Sequence, residues 1–145
     1  MKPKVIALDL EKTLISDART CKPRPGLYEF LEFCCDNFER VVMFTAVYKK
    51  LFDTVIVNLV RQGHIPQVFL DRLEYVDWDG RYKDLEFIPN AMPAEIIFVD
   101  DDEGFINPAQ KSHWIWIDRY NVSSGEDDRE LLRVRCLLEQ KLEGD

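Results

Sequence analysis

Two acidic residues follow the first apolar run of the chain and form its most chemically suggestive segment. Asp9 and Glu11 stand two residues apart, directly after Val5–Leu8. A short buried strand that ends in a carboxylate is how many α/β proteins present a reactive acid at the edge of a sheet. Two such acids can share a divalent cation and a proton transfer. The segment therefore predicts acid chemistry at the end of the first strand.

Four more polar residues end apolar runs or follow a turn: Thr45, Lys83, Asp100 and Asp101. In an open parallel sheet the carboxyl ends of the strands converge on one crevice. We therefore expect these side chains to meet Asp9 and Glu11 there. The alternatives are that Thr45 only completes a strand, that Lys83 is a solvated lysine, and that Asp101 caps the following turn.

This inventory fits phosphoryl transfer through a covalent aspartyl-phosphate. One carboxylate attacks phosphorus, and a second acid protonates the leaving alkoxide and then deprotonates water. A hydroxyl and an ammonium hold the phosphoryl oxygens, while the other carboxylates hold Mg²⁺. The cation is needed because clustered carboxylates would otherwise repel a dianionic substrate.

Apolar runs that alternate with amphipathic segments position these residues. The strand-like runs are Val5–Leu10, Val41–Thr45, Gln67–Leu70, Ile96–Val99 and Trp114–Ile117. Helical spacing predicts helices over residues 27–34 and 51–60, and a closing helix over about 126–142. Strands that alternate with helices indicate an α/β fold with a mostly parallel sheet, covered on both faces.

Residues 67–83 interrupt the alternation. The segment 73–76 and the pair Arg81-Tyr82 flank Asp77-Trp78-Asp79-Gly80, and Asp-Gly is a strong tight-turn signal. We therefore predict a short β-hairpin insertion here. Its aromatic side chains, which are Tyr75, Trp78 and Tyr82, either grip a peptide or pack across the strands.

Length and charge narrow the class of protein. At 145 residues the chain is expected to be one domain, residues 1–145. Its net charge of −8 argues against nucleic acid as a partner, because phosphate backbones require clustered Lys and Arg. Neither a membrane span of roughly 18 apolar residues nor a signal-peptide pattern is visible. The four cysteines lack metal-ligand spacing, so we expect a reduced, cytoplasmic protein.

The order of the motifs resembles that of the haloacid-dehalogenase superfamily of phosphatases. The order is D-x-[acid]-x-T, a strand plus Thr, a Lys, and a strand plus D-D. The segments that resemble the NLI-interacting-factor-like branch are Arg24–Leu31, Met43–Ala46, Gly80–Leu85 and Ile97–Asp101. That branch includes the small phosphatases of the RNA polymerase II C-terminal domain. The resemblance runs from about Lys4 to Tyr120.

The resemblance implies a capless three-layer α/β sandwich with a short three-stranded insertion around residues 67–83. It implies that Asp9 is the nucleophile and a Mg²⁺ ligand, and that Thr45 and Lys83 bind the phosphoryl group. Without a cap the crevice is open, which suits phosphorylated protein side chains or other large substrates.

The resemblance also assigns the metal site and exposes one departure from the family pattern. The implied Mg²⁺ ligands, besides Asp9, are Asp100, Asp101 and the main-chain carbonyl of Glu11. At position 11 the family has Asp as the general acid–base, whereas this chain has Glu, one methylene longer. General acid–base catalysis is typically worth roughly 10²–10⁴ in rate. Misplacement of Glu11 would therefore leave a slow enzyme.

Three functions follow, in order of preference. The first is a Mg²⁺-dependent phosphomonoester phosphatase that acts through an aspartyl-phosphate, on a phosphoprotein or another large substrate. The second, motivated by Glu11, is a catalytically weakened phosphoprotein-binding module. The third is a phospho-accepting receiver domain, which motif order disfavours because receivers place the acidic pair first and the Lys last.

Three other polar residues are candidates for the site. His64 and His113 have no acidic or cysteine partner at a useful spacing, so we expect structural or surface roles. Arg24, just before Pro25-Gly26, either approaches the substrate or lies on the surface.

Overall fold

Five short parallel strands form the centre of the computed structural model, which describes residues 2–144. The strands are β1 Val5–Leu8, β2 Arg40–Met43, β3 Leu73–Tyr75, β4 Ile96–Asp100 and β5 Trp114–Trp116. Their order in the sheet is β3-β2-β1-β4-β5, and every neighbouring pair is parallel. The prediction of an α/β fold around a parallel sheet is confirmed.

Four α-helices cover one face of this sheet. They are α1 Leu27–Asn37, α2 Lys49–Arg61, α3 Gln67–Arg72 and α4 Glu130–Glu143. Alternate residues of a strand point to opposite faces, and Ile6 and Leu8 of β1 pack in the same core as the buried residues of all four helices. The closing helix predicted from about residue 126 thus begins at Glu130.

The opposite face of the sheet is covered by loops and 3₁₀ turns. Val5 and Ala7 pack there with a group of apolar residues from loops and short turns: Val76, Leu85, Ile88 and Ile106. The handedness of the connections explains why the helices between strands lie on one face only. From β1 to β3 each strand is added on one side of β1, and β4 and β5 are added on the other side. Because crossovers are right-handed, the connections of these two groups lie on opposite faces of the sheet. The third layer is therefore present and irregular. Within residues 2–144, the segment from β1 to α1 spans only residues 9–26, so no cap domain lies there.

Two predictions for the segment 67–83 are wrong. Residues 67–70 belong to α3, which starts after Pro66 and carries a hydrogen bond from Gln67 to Asp71 one turn later. The β-hairpin is absent from this segment, since Leu73–Tyr75 pairs in parallel with β2 and residues 76–83 contain no strand. The Asp-Gly turn itself forms, with Gly80 at φ 86° in the left-handed region.

The strand register brings the predicted site residues to one level. Leu8 lies opposite both Met43 and Val99, and the Asp9 amide donates to the Val99 carbonyl over 3.1 Å. Asp9 and Asp100 therefore leave adjacent strands side by side. None of the helices within residues 2–144 has the length and apolar character required to cross a membrane.

Candidate active site

A pocket of about 180 Å³ opens at the carboxyl ends of the strands. Its lining residues are Asp9, Glu11, Lys12, Thr45, Ala46, Lys83, Asp100, Asp101, Asp102, Phe105 and Arg119. The structure thus brings all six residues predicted for the site to one pocket. They come from four separate places in the chain, so their convergence depends on the parallel strand order.

A buried ion triad forms the floor of the pocket. The Lys83 ammonium donates to Asp9 Oδ1 over 3.0 Å and to Asp100 Oδ2 over 2.8 Å. Lys83 is only 2% exposed, Asp9 5% and Asp100 0%. The Lys83 side chain also lies over the ring of Phe105, 4.7 Å from its centroid. Lys83 is therefore a buried counter-ion, and the solvated-lysine alternative is wrong.

The two carboxylates are held in an environment that opposes their charge. Burial raises the pKa of Asp9 well above its ordinary value; Lys83 lowers it and Asp100 raises it. Burial likewise raises the pKa of Asp100, against the opposing effect of Lys83. For Lys83 burial lowers the pKa, but the two carboxylates outweigh it and the net shift is upward. For both carboxylates the effect of burial on the pKa thus outweighs that of the Lys83 ammonium.

Thr13 connects a third carboxylate, that of Asp101, to this triad, and Arg119 pairs with the same carboxylate. The Thr13 hydroxyl lies 3.0 Å from Asp9 Oδ2 and 3.3 Å from Asp101 Oδ1. Arg119, which follows β5 on the pocket rim, donates to Asp101 Oδ2 over 3.4 Å. Neither residue was predicted for the site. The signals were present, since Thr13 belongs to the first motif and Arg119 follows the end of the fifth strand.

Three acidic residues suit a divalent cation. Carboxylate oxygens of Asp9, Asp100 and Asp101 all lie within 4.8 Å of one another. This is close to the roughly 4.2 Å between opposite oxygen ligands of Mg²⁺. When ionised, the three carboxylates together with Lys83 and the Arg119 guanidinium sum to a charge of −1, which a divalent cation would offset. The donor set therefore fits the predicted magnesium ion.

Two hydrogen bonds position Thr45, one from its own loop and one from the indole of Trp78, which packs on the face of the sheet that the loops cover. Its Oγ1 accepts from the Val47 amide over 3.1 Å, and its carbonyl accepts from Trp78 Nε1 over 2.8 Å. Trp78 packs edge-on against Phe44 and Phe105. Trp78 therefore supports the pocket wall by packing. Among residues 2–144 the Thr45 hydroxyl acts only as an acceptor, so its proton is available for a ligand.

Glu11 is anchored away from the ion triad. Its Oε2 accepts from the Ala18 amide over 2.7 Å, across the loop that follows β1. The preceding carbonyl, that of Leu10, accepts from the amides of Thr13, Leu14 and Ile15 and closes this loop tightly. The extra methylene of Glu thus lets the carboxylate reach the loop backbone.

Other candidates weighed from the sequence lie outside the pocket. His64 is exposed and His113 is partly exposed, consistent with the expected surface roles. Tyr75 donates its hydroxyl to the Val47 carbonyl and packs against Phe52, and so has a structural role. Arg24 is 1% exposed, so both of its predicted placements, at substrate and on the surface, are wrong.

A first prediction concerns the Lys83 ammonium of the buried ion triad. Lys83→Met should lower the free energy of unfolding by about 3–5 kcal/mol, because it leaves Asp9 and Asp100 buried without a counter-ion. Mg²⁺ should recover about 2–3 kcal/mol at concentrations near 100 times its Kd. Urea unfolding with and without Mg²⁺ measures both effects.

The matched control for Lys83 is Lys49→Met, which breaks an exposed ion pair with Asp53. It should change stability by less than about 0.5 kcal/mol and leave the Mg²⁺ effect unchanged. A Lys83→Met protein as stable as the parent, with no additional stabilisation by Mg²⁺, would contradict the triad as a charge-balanced unit.

A family model described as NLI interacting factor-like phosphatase matches residues 4–144. The chain belongs to this family. Membership confirms the predicted resemblance to the NLI-interacting-factor-like branch of the haloacid-dehalogenase superfamily. The match covers all of the strands and helices described above. No curated protein matches the sequence significantly.

A solved structure supports the same fold. The fission yeast RNA polymerase II CTD phosphatase Fcp1, determined bound to beryllium fluoride, matches with a TM-score of 0.61 and 16% sequence identity. The match covers 97% of this NLI interacting factor-like chain and 51% of the Fcp1 chain. The chain thus spans about half the length of that protein. At this identity the likeness shows the fold.

Proposed function

We propose that the protein is a Mg²⁺-dependent phosphomonoester phosphatase that acts through a phosphorylated Asp9. The observation that carries the proposal is the buried triad, in which Asp9 shares Lys83 with Asp100 in an open pocket. The family match and the third carboxylate, Asp101, agree with it. The three carboxylates are at the ends of β1 and β4, where the sheet holds them rigidly, and Lys83 reaches them from the loop before residue 85.

The chain supplies each group that the reaction requires. The Asp9 carboxylate attacks phosphorus, forming an O–P bond as the bond from phosphorus to the leaving oxygen breaks. Lys83 and the Thr45 hydroxyl bind the phosphoryl oxygens. Glu11 gives a proton to the leaving oxygen and then takes one from the water that hydrolyses the aspartyl-phosphate.

Asp9, Asp100, Asp101 and the main-chain carbonyl of Glu11 would hold Mg²⁺. When bound, the ion supplies positive charge that offsets the repulsion between the acidic pocket and a phosphate dianion. The raised pKa values of Asp9 and Asp100 support this role, since burial disfavours the charged carboxylates and a bound cation would favour them. The protein residues orient the phosphoryl group within this field.

The proposed substrate class is a phosphorylated side chain of a protein. The pocket opens directly to solvent at the strand ends, and residues 9–26 add no cap domain there. A phosphorylated side chain can enter such a pocket while the rest of the substrate stays outside. The matched structure is that of a CTD phosphatase, which is consistent with a large substrate.

A second candidate function is phosphoprotein binding with weak turnover. The hydrogen bond from Ala18 to Glu11 favours it, because it engages the general acid–base with the loop backbone. The phosphate-binding groups Lys83 and Thr45 do not depend on Glu11. Binding would thus persist where turnover is slow.

Hydrolysis of p-nitrophenyl phosphate and of phosphoserine peptides tests the leading proposal. We expect turnover that falls more than about tenfold with EDTA and returns with Mg²⁺. Hydrolysis that is insensitive to EDTA would contradict the metal role. Phosphopeptide binding without turnover, in both the parent and Glu11→Asp, would favour the binding module.

A further inference from the structure

Arg24 is a fully buried arginine whose guanidinium makes five hydrogen bonds. Nε and Nη2 bind the two carboxylate oxygens of Asp128 over 2.9 and 3.0 Å. Nη2 also donates to the Asp118 carbonyl over 2.6 Å, and Nη1 donates to the carbonyls of Thr13 and Lys12 over 3.1 and 3.4 Å. Its charge and its donors are therefore directed at two separate parts of the chain.

The first part is the loop that carries the reactive acids, residues 9–16, here named the Asp9 loop. The second is the segment that precedes α4, residues 118–128, here named the C-terminal strap. Further bonds join the two, since the Tyr120 amide donates to the Lys12 carbonyl over 3.0 Å and Lys12 Nζ donates to Asn121 over 3.3 Å. Arg24 lies at the centre of this junction.

The contacts of Arg24 lead directly to the reactive carboxylate. Lys12, whose carbonyl Arg24 binds, has a φ of 65°, a left-handed conformation that costs energy in a non-glycine residue. Thr13, whose carbonyl it also binds, holds Asp9 Oδ2 through its hydroxyl. Arg24 thus fixes the backbone from which Thr13 orients Asp9.

Asp128 in turn fixes Arg24. The bidentate pair is the geometry in which a guanidinium and a carboxylate bind most strongly and with the least rotational freedom. The Asp128 side chain is 14% exposed, so little water is present to replace it. Loss of its charge would leave the buried guanidinium without a counter-ion and free to tilt away from the Asp9 loop.

We propose that Arg24 is a positioning residue, oriented by Asp128, that holds the Asp9 loop in its reactive geometry. The proposal rests on the proposed phosphatase function. Under this proposal the C-terminal strap contributes to the site through Asp128, which orients Arg24. Of the strap residues, Arg119 lines the pocket itself. Displacement of a reacting group by about 1 Å can cost roughly 10²-fold in rate.

The chain contains a matched control for a merely structural ion pair. Arg40 and Glu74 form a bidentate pair over 2.9 and 2.6 Å, and Arg40 also donates to the carbonyls of Pro89 and Asn90. This pair has the same chemistry as Arg24–Asp128. It lies at the amino end of β2, opposite the pocket. Glu74→Gln therefore makes the same chemical change far from the Asp9 loop.

The experiment compares Asp128→Asn with Glu74→Gln, by hydrogen exchange of the folded full chain and by steady-state kinetics. For Asp128→Asn we expect the amides of residues 9–16 to exchange about tenfold faster, because a charge-assisted hydrogen bond is lost. We expect kcat to fall about 10- to 100-fold with KM within about twofold of the parent. Glu74→Gln should change neither the exchange rates of the amides of residues 9–16 nor kcat.

Three results would overturn the proposal. The first is unchanged exchange of residues 9–16 in Asp128→Asn, and the second is a parental kcat in that variant. Equal losses of kcat in both variants would also reduce Arg24 to a general stabiliser. If the parent protein shows no turnover, the phosphatase function fails, and the exchange comparison alone still decides whether Arg24 holds the Asp9 loop.

Discussion

Asp9→Asn is expected to abolish turnover, with kcat at least about 10³-fold below that of the parent. An amide is not a competent nucleophile, so no aspartyl-phosphate can form. The substitution preserves shape, and Asn can still accept the hydrogen bond from Lys83. The fall in kcat therefore measures the loss of the nucleophile rather than a change in the shape of the site. Steady-state hydrolysis of p-nitrophenyl phosphate with Mg²⁺ measures it.

The same variant should be folded and at least as stable as the parent. Asp9 and Asp100 are buried side by side, and burial raises the pKa of both. Replacement of one by a neutral amide relieves their repulsion, as is common at reactive sites. The matched control is Asp17→Asn in the following turn, where an exposed carboxylate accepts from the Arg19 and Thr20 amides. It should keep the parental kcat, and an Asp9→Asn protein with parental turnover would refute the nucleophile assignment.

Glu11→Asp is expected to raise kcat by about 10- to 100-fold. In the parent, Glu11 must leave the Ala18 amide before it can reach the leaving oxygen. A hydrogen bond to a charged group is worth about 1.5–3 kcal/mol, which corresponds to roughly 10- to 100-fold fewer competent conformers. The shorter Asp side chain loses this anchor, so its carboxylate is free to act in the pocket. Single-turnover and steady-state rates measure the gain.

Glu11→Gln is the control for this prediction. Gln has the length of Glu and can accept from the Ala18 amide, but it has no proton to exchange at neutral pH. Residual turnover should therefore fall below that of the parent. If Glu11→Asp is slower than the parent or equal to it, the anchored carboxylate is not what limits turnover.

Much of the site was predictable because of how buried parallel strands are built. Continuous apolar runs mark β1, β2 and β4, and short strands of this kind end where the first polar residue appears. Asp9 and Asp100 sit at such ends, and Thr45 lies two residues beyond one. Since the carboxyl ends of parallel strands lie at one edge of the sheet, the strand pattern alone predicts that these three residues share one crevice.

Long-range and ambiguous local features were not predictable. The run 67–70 is too short for its periodicity to distinguish a strand from a helix, and the packing of Phe69 between helices decides the matter. The burial of Arg24 depends on Asp128, 104 residues away, which no local pattern links to it. The contact between Glu11 and Ala18 likewise depends on the folded course of the Asp9 loop.

The most direct test of the central claim is to trap the phosphorylated enzyme. The parent protein is mixed with a phosphomonoester and Mg²⁺, quenched in acid, digested and analysed by mass spectrometry. We predict one phosphoryl group on the peptide that contains Asp9. Turnover without a phosphorylated Asp9, or phosphorylation at another residue, would contradict this account.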